Sequence, residues 1–193
     1  MKNEWDEYAQ DWNTDKSVQD YAKKVFDELK LITSPKDLRI LDFGCGTGSL
    51  TSLLSPEAKN IVAIDSSSKM IELLNKKSLD NVNSISSILN EELIQSDSRL
   101  NKKFDLILAS SVCSFLPNYE ETLHLLKSLL NKDGIFMQWD WLAKDENQDT
   151  GLTRTRVKVA LESAKFNNID ITVPFIMNSS KGSMSVVMGV GKN

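Results

Sequence analysis

Ile40-Leu41-Asp42-Phe43-Gly44-Cys45-Gly46-Thr47-Gly48-Ser49-Leu50 is the stretch around which the rest of the chain is organised. An apolar run enters a glycine-rich turn, and the turn leads into the periodic apolar residues Leu50, Leu53 and Leu54. A short strand, a tight turn and a helix start are expected in that order. Glycine suits such a turn because it accepts positive φ and lets a ligand approach the backbone with no Cβ in the way. The first-turn N–H groups of a helix lack intrahelical partners and lie at the positive end of its dipole, so a carboxylate or phosphate can be held there. Taken alone the turn decides little, since sharp strand-to-helix turns also carry glycines for packing.

A second acid adds weight. Asn60-Ile61-Val62-Ala63-Ile64-Asp65 is an apolar strand ending in a carboxylate, and Asp65 follows Gly44 by 21 residues. That spacing puts the acid at the tip of the neighbouring strand, where it can accept both hydroxyls of a ribose. The dinucleotide fingerprint asks for a third glycine at position 49, which is Ser49 here, so the match to a nicotinamide-binding pattern is imperfect. Residues 41–48 closely resemble the first motif of the class I S-adenosylmethionine-dependent methyltransferases. The resemblance implies that the backbone of Gly44, Cys45 and Gly46 holds the methionine end of S-adenosylmethionine and that Asp42 helps place its ammonium group. It also implies that Asp65, with Ser66 beside it, binds the ribose, and that Met70 covers the adenine. The plainer alternatives are a helix N-cap for Asp65 and a core residue for Met70.

Further along, Val82–Ile88 is expected as a third strand, though serines and asparagine dilute its pattern. Many members of the resembled family carry an acid just after this strand for the adenine amino group. Ile88 stands there instead, which leaves backbone groups of Ser87, Ile88 and Leu89, or Asn90, to make the contact. Lys103–Ser111 is similar to the family's fourth motif, where small residues such as Ala109 leave room for the sulfonium and its methyl. Ser111 and Ser114 then fall beside the acceptor. Several relatives have histidine near here; this chain has Cys113 and Ser114, so a histidine base at this place is excluded. The lone histidine, His124, lies beside an apolar helix face and reads as structural or solvent-facing.

Ile135–Trp141 is expected as the fifth strand. Its end brings Asp140, flanked by Trp139 and Trp141, to the edge where open α/β sheets bind ligands. A carboxyl among aromatic walls has its pKa raised, which suits a general base working near neutral pH. Strand alternation sends the two tryptophans to one face and Asp140 to the other, so the triplet lines one cavity only if the strand ends there. The alternative role for Asp140 is to cap the next segment.

Trp5, Tyr8 and Trp12 share one face of a helix expected over residues 5–15, either as a lid over the cofactor, which the resemblance implies for Tyr8 and Trp12, or as packing. A scaffold helix follows over 18–31, so residues 1–35 form a helical segment ahead of a core over 38–193 in a single methyltransferase domain. Further helices are expected at 49–54, 69–77, 120–130 and 152–166, with a turn at 131–134 and a polar loop at 144–151. Strands at 170–177 and 184–190 form a hairpin around 178–183. The fold class that results is α/β: a Rossmann-like, doubly wound, seven-stranded sheet, mostly parallel, closed by a C-terminal antiparallel hairpin. Dehydrogenase sheets lack that hairpin.

The chain has 193 residues, enough for one core, and a net charge of −4, with pI near 5.1. No broad basic field is available to neutralise phosphates, and there is no Asp/Asn-Pro-Pro-Tyr/Phe stretch of the kind that holds a flipped base, so nucleic-acid substrates are disfavoured. The two cysteines, Cys45 and Cys113, lack metal-ligand spacing, which predicts no metal and free thiols in a reducing cytoplasm. No signal-peptide core and no apolar run of about 18 residues is present, so a soluble cytoplasmic protein with no membrane partner is expected. The sequence specifies no oligomeric state. The expected function is S-adenosylmethionine-dependent methylation of a small-molecule acceptor; its competitor is a non-catalytic S-adenosylmethionine-binding or interaction protein on the same fold.

Overall fold

Residues 40–43, 61–64 and 106–109 are buried on both faces and, Asp42 apart, apolar, as strands covered on two sides must be, and they become the centre of the sheet. The computed structural model describes residues 4–145, 148, 150–179 and 182–193. Its strands are β1 (Arg39–Phe43), β2 (Asn60–Asp65), β3 (Val82–Ser86), β4 (Phe104–Ser110), β5 (Leu130–Trp141), β6 (Asn167–Ser179) and β7 (Gly182–Lys192). They lie in the order β3-β2-β1-β4-β5-β7-β6. Pairing is parallel from β3 through β5, and β7 runs antiparallel between β5 and β6, as the hairpin reading expects.

Alternation along the strands divides the core. Leu41, Phe43, Ile64, Ile107 and Phe136 pack with Leu123 and Leu126 of α6 (Tyr119–Ser128) and with Val157 and Leu161 of α7 (Arg154–Ser163). On the other face Ile40, Ile61, Leu106, Leu108 and Trp139 meet helices α2 (Lys16–Ile32), α3 (Ser49–Leu54) and α4 (Ser68–Asn75) through Val25, Leu29, Leu50, Leu54 and Leu74. Helix α1 (Trp5–Thr14) precedes α2, whose N-cap is Asp15, accepting from the Ser17 N–H at 2.7 Å.

The expected elements need four corrections. A helix α5 (Glu91–Ser96) follows β3 where none was expected; it buries no residue, so no apolar stripe announces it. The turn expected at 131–134 is instead an irregularity within β5, whose pairing with β4 shifts between Leu130 and Ile135, with Asp133 at φ +63°. The third strand stops at Ser86, ahead of the expected Ile88. The helix expected from residue 152 starts at Arg154, because the Thr153 side chain accepts from the Arg156 N–H at 3.0 Å and caps it. Parts of the 144–151 loop and of the 178–183 turn lie outside the described residues. Among the described residues no helix is long and apolar enough to cross a membrane.

Candidate functional site

The glycine loop bridges β1 to α3 beside the tip of β2. Gly44 and Cys45 donate their N–H groups to the Ile64 carbonyl at 2.8 and 3.1 Å, which fixes the loop against its neighbour. Gly44 and Gly46 have φ of +70° and +53°, a region that only glycine enters without strain. Their surroundings differ. A Cβ on Gly44 would lie 2.4 Å from Val112 Cγ2, so that position is closed by packing. At Gly46 the nearest atom is the Trp12 indole nitrogen, 3.6 Å away, so this residue turns its bare backbone toward helix α1. The buried Thr47 hydroxyl of the same loop has no protein partner among the described residues.

Asp65 stands at the tip of β2 and binds this loop directly. The Gly46 N–H donates to Oδ2 and the Ser67 N–H to Oδ1, each at 2.8 Å. A carboxylate offers about four acceptor sites, so these bonds still leave room for a hydroxyl donor. Burial raises the pKa of Asp65 above the usual carboxylate value, the backbone N–H groups of Ser67, Gly46 and Ser66 oppose that rise, and the Asp6 carboxylate adds to it. The helix that follows is capped by Ser67 rather than Asp65: the Ser67 hydroxyl accepts from the Met70 N–H at 3.1 Å. Ser66 is exposed, and Met70 is buried at the start of α4. Beyond β3, the Ser87 N–H donates to the Asp65 carbonyl at 2.9 Å, Leu89 is buried, and Ile88 is 71% exposed. Asn90 commits its side-chain oxygen to the cap of α5, accepting from the Leu93 N–H at 2.8 Å.

Asp42 turns the other way. Its carboxylate is buried, accepts from the Thr51 hydroxyl of α3 at 2.5 Å, and has its pKa pushed up to about 6, chiefly by burial. The Cys45 thiol, also buried, is pushed upward by the same loss of water and by Asp42 and Asp65.

On the β4–β5 side the residues singled out by sequence separate across the sheet. Asp140 is buried and accepts from the Ser114 N–H (3.0 Å) of the 3₁₀ turn Cys113–Phe115 and from Gln138 Nε2 (3.2 Å). Gln138 Oε1 in turn accepts from the buried Tyr119 hydroxyl at 2.7 Å. Burial pushes the Asp140 carboxyl up to about 7, against the lowering effect of these donors. The Ser114 hydroxyl is buried with no partner in hydrogen-bond geometry among the described residues. Asp140 thus caps a turn earlier in the chain, not the segment after it. The strand does not end at the acid, since β5 pairs with β7 through Trp141 and Val186. Trp139 is therefore buried on the α2 face, its indole N–H without a partner among the described residues, and Trp141 packs at 5.3 Å on the Tyr21 ring from α2. At the tip of β4, Ala109 is buried, while Ser111 takes φ +56° and donates its N–H to the Trp139 carbonyl at 2.7 Å. His124 is exposed.

Helix α1 lies over this end of the sheet. Trp5 meets Phe115 of the 3₁₀ turn edge-on at 5.1 Å and Trp12 at 6.2 Å, Trp12 sits above Gly46, and Tyr8 is 58% exposed. Asp6 of the same helix accepts from the Ser67 hydroxyl at 2.6 Å and the Lys69 N–H at 3.3 Å. Sequence reading missed Asp6, Ser67, Gln138 and Tyr119. Ser67 carries a signal, a hydroxyl three residues ahead of Met70 at a helix start; a contact between residues 6 and 67 carries none. Two surface clefts, one lined by Asp20, Lys24 and Met177 and one by Arg39, Arg99 and Lys102, contain none of the residues above.

Residues 15–169 match the methyltransferase domain family. The chain belongs to the S-adenosylmethionine-dependent methyltransferases. Among curated methyltransferases it is 30% identical over 139 residues to a malonyl-[acyl-carrier protein] O-methyltransferase of Priestia megaterium, covering 69% of this chain and 48% of that protein. It is 26% identical over 140 residues to an uncharacterized methyltransferase of Schizosaccharomyces pombe, covering 63% and 49%. The chain spans about half the length of the curated relatives it matches. The N-methyltransferase NodS of Bradyrhizobium japonicum, solved with S-adenosyl-L-homocysteine, shares the methyltransferase fold at a TM-score of 0.69, with 12% identity and coverage of 94% and 90%. A putative O-methyltransferase from Nostoc punctiforme does so at 0.71, with 14% identity and coverage of 96% and 59%.

Proposed function

We propose that this methyltransferase binds S-adenosylmethionine across Gly44, Cys45, Gly46 and Asp65 and transfers its methyl group to a small-molecule acceptor. The observation that carries the reading is the bond from the Gly46 N–H to the Asp65 carboxylate, which joins the glycine loop to the strand-tip acid beneath Trp12. The donor set fits the cofactor: a backbone surface with no side chain at Gly46, a carboxylate with lone pairs to spare, and a Thr47 hydroxyl with no partner among the described residues.

When bound, the cofactor supplies a methyl carbon already activated by a sulfonium. The chain's task is then alignment and exclusion of water. Asp65, next to Ser66, accepts the ribose hydroxyls, Met70 and the backbone of Ser87, Ile88 and Leu89 hold the adenine, and Tyr8 and Trp12 cover it. Asp42 acts through Thr51 by fixing the loop. The acceptor side is built from Ala109, Ser111 and Ser114; Trp139 and Trp141, expected beside them, are packed on the α2 face and do not join Asp140 there. Asp140 would be the base that takes the proton the acceptor loses; burial and a pKa near 7 support the assignment. The bonds from Ser114 and Gln138 favour a second, purely structural role for the same acid.

The acidic chain supports a metabolite in preference to a nucleic acid, and two free cysteines support work in the cytoplasm. O-methyltransferases among the relatives make oxygen nucleophiles the first acceptors to try. The test is transfer of labelled methyl from S-adenosylmethionine to a panel of small carboxylates, alcohols, phenols and amines. With a working acceptor, Asp140→Asn should lower turnover by about 10²- to 10⁴-fold with S-adenosylhomocysteine affinity unchanged. Wild-type turnover in that variant would leave Asp140 structural. Tight cofactor binding with no transfer to any acceptor would favour the non-catalytic alternative.

A further inference from the structure

Four contacts close a ring between helix α1 and the ribose corner. Asp6 Oδ1 accepts from the Ser67 hydroxyl at 2.6 Å; the Ser67 N–H donates to Asp65 Oδ1 at 2.8 Å; the Gly46 N–H donates to Asp65 Oδ2 at 2.8 Å; and the Trp12 indole nitrogen stands 3.6 Å from the Cβ position of Gly46. Two of the four links belong to α1 and two to the acid that faces the ribose. We infer that Asp6 and Ser67 form a clasp that couples closure of α1 to occupancy of the ribose subsite, making Asp6 a positioning residue for cofactor binding. The inference rests on the cofactor reading above.

Ser67 is suited to the task because it is wholly buried and fully used. Its hydroxyl donates to Asp6 while accepting from the Met70 N–H, and its own N–H goes to Asp65, so it cannot shift toward one acid without disturbing the other. Besides the clasp, α1 buries Ala9, rests Trp5 edge-on against Phe115 and accepts at Asp6 from the Lys69 N–H. Among these links the bond from the Ser67 hydroxyl to the Asp6 carboxylate is charge-assisted, and so one of the stronger single ones.

The coupling has an electrostatic sense. Asp6 and Asp65 are carboxylates on either side of one serine, and Asp6 is among the groups that raise the pKa of Asp65. Ribose hydroxyls donating to Asp65 spread its charge and ease that repulsion, so a filled ribose subsite favours the clasped helix. Linkage requires the converse to the same degree: a clasped helix holds the ribose more tightly.

The experiment uses the full chain, S-adenosylhomocysteine as the probe, and stopped-flow release followed by tryptophan fluorescence. Asp6→Ala should speed release about tenfold, as expected for loss of one charge-assisted bond in a partly exposed site. Asp6→Asn keeps an oxygen acceptor in the same shape and should fall between Asp6→Ala and wild type. Gln10→Ala, on an exposed position of the same helix, should release at the wild-type rate. In equilibrium titrations the effects of Asp6→Ala and Asp65→Ala should be less than additive, because both act through one serine. Helical circular dichroism without ligand should be the same for wild type and Asp6→Asn, so that a changed release rate reports the clasp and not unfolding. Release from Asp6→Ala within twofold of wild type, or strict additivity with Asp65→Ala, would overturn the clasp and leave the cofactor reading standing. Failure of the wild-type chain to bind S-adenosylhomocysteine would overturn both.

Discussion

Asp140 is a carboxyl held in a dry place by Ser114 and Gln138, and its raised pKa links it to the stability of the whole chain. An unfolded aspartate titrates near 3.9, so between about pH 4 and pH 7 the folded form keeps a proton that the unfolded form has lost. With more protons bound to the native state, stability falls as pH rises through that window, by at most about 4 kcal/mol from this group. Asp42, pushed up to about 6, adds a fall of its own between about pH 4 and pH 6. Asp140→Asn removes the titration, and Gln138 can flip its amide to suit both the substituted side chain and the Tyr119 hydroxyl. Urea midpoints should therefore drop from pH 5 to pH 8 in the wild type and drop less in the variant; equal drops would mean that Asp140 is ionised in the folded protein throughout. The glycines offer a second contrast. Gly44→Ala meets Val112 at 2.4 Å as well as a φ of +70°, so it should destabilise the fold by about 1–3 kcal/mol. Gly46→Ala has room for its methyl and a smaller strain, so its main effect should be on cofactor affinity, read by titration against its thermal midpoint.

Helix α1 is the element whose role follows least from composition. Its aromatic spacing was legible, but spacing alone fits both a lid and a packing face; Trp12 above Gly46 and Asp6 on Ser67 bring the helix to the glycine loop through contacts across more than thirty and sixty positions that no local pattern encodes. Removing residues 1–14, which leaves Asp15 to cap α2, should weaken S-adenosylhomocysteine binding with the sheet signal in circular dichroism intact. Unchanged affinity would make α1 packing only. Elsewhere legibility follows burial. Strands β1 and β2 and helix α3 are visible because their apolar runs are continuous and their turn is rich in glycine. Helix α5 is hidden because it is six residues long and buries none of them, although Asn90 before two glutamates is a readable cap. Strand β6 continues through Pro174, which a central strand would not tolerate; as the edge strand it absorbs the proline in a register shift between Thr172 and Phe175.

At the scale of the molecule, the sheet order places the tips of β1, β2 and β4 side by side, and every residue assigned to the cofactor except those of α1 lies on or just after one of these tips or that of β3. The spacing from Gly44 to Asp65 already contained this arrangement, since one short helix and one strand are all that fit between them. The acceptor side was less legible because it depends on which face each β5 residue meets, and the strand runs on past Asp140 to Trp141. The central claim is that the glycine loop and Asp65 together form a ribose-binding cofactor site. It is tested most directly by isothermal titration of the wild-type chain and Asp65→Ala with S-adenosylhomocysteine, with NADH as the competing ligand. One site for S-adenosylhomocysteine, about 10- to 100-fold weaker in Asp65→Ala through the loss of roughly 1.5–3 kcal/mol of charge-assisted bonding, and no heat with NADH is the predicted result. Equal affinity in a folded Asp65→Ala protein, or binding of NADH in place of S-adenosylhomocysteine, would contradict it.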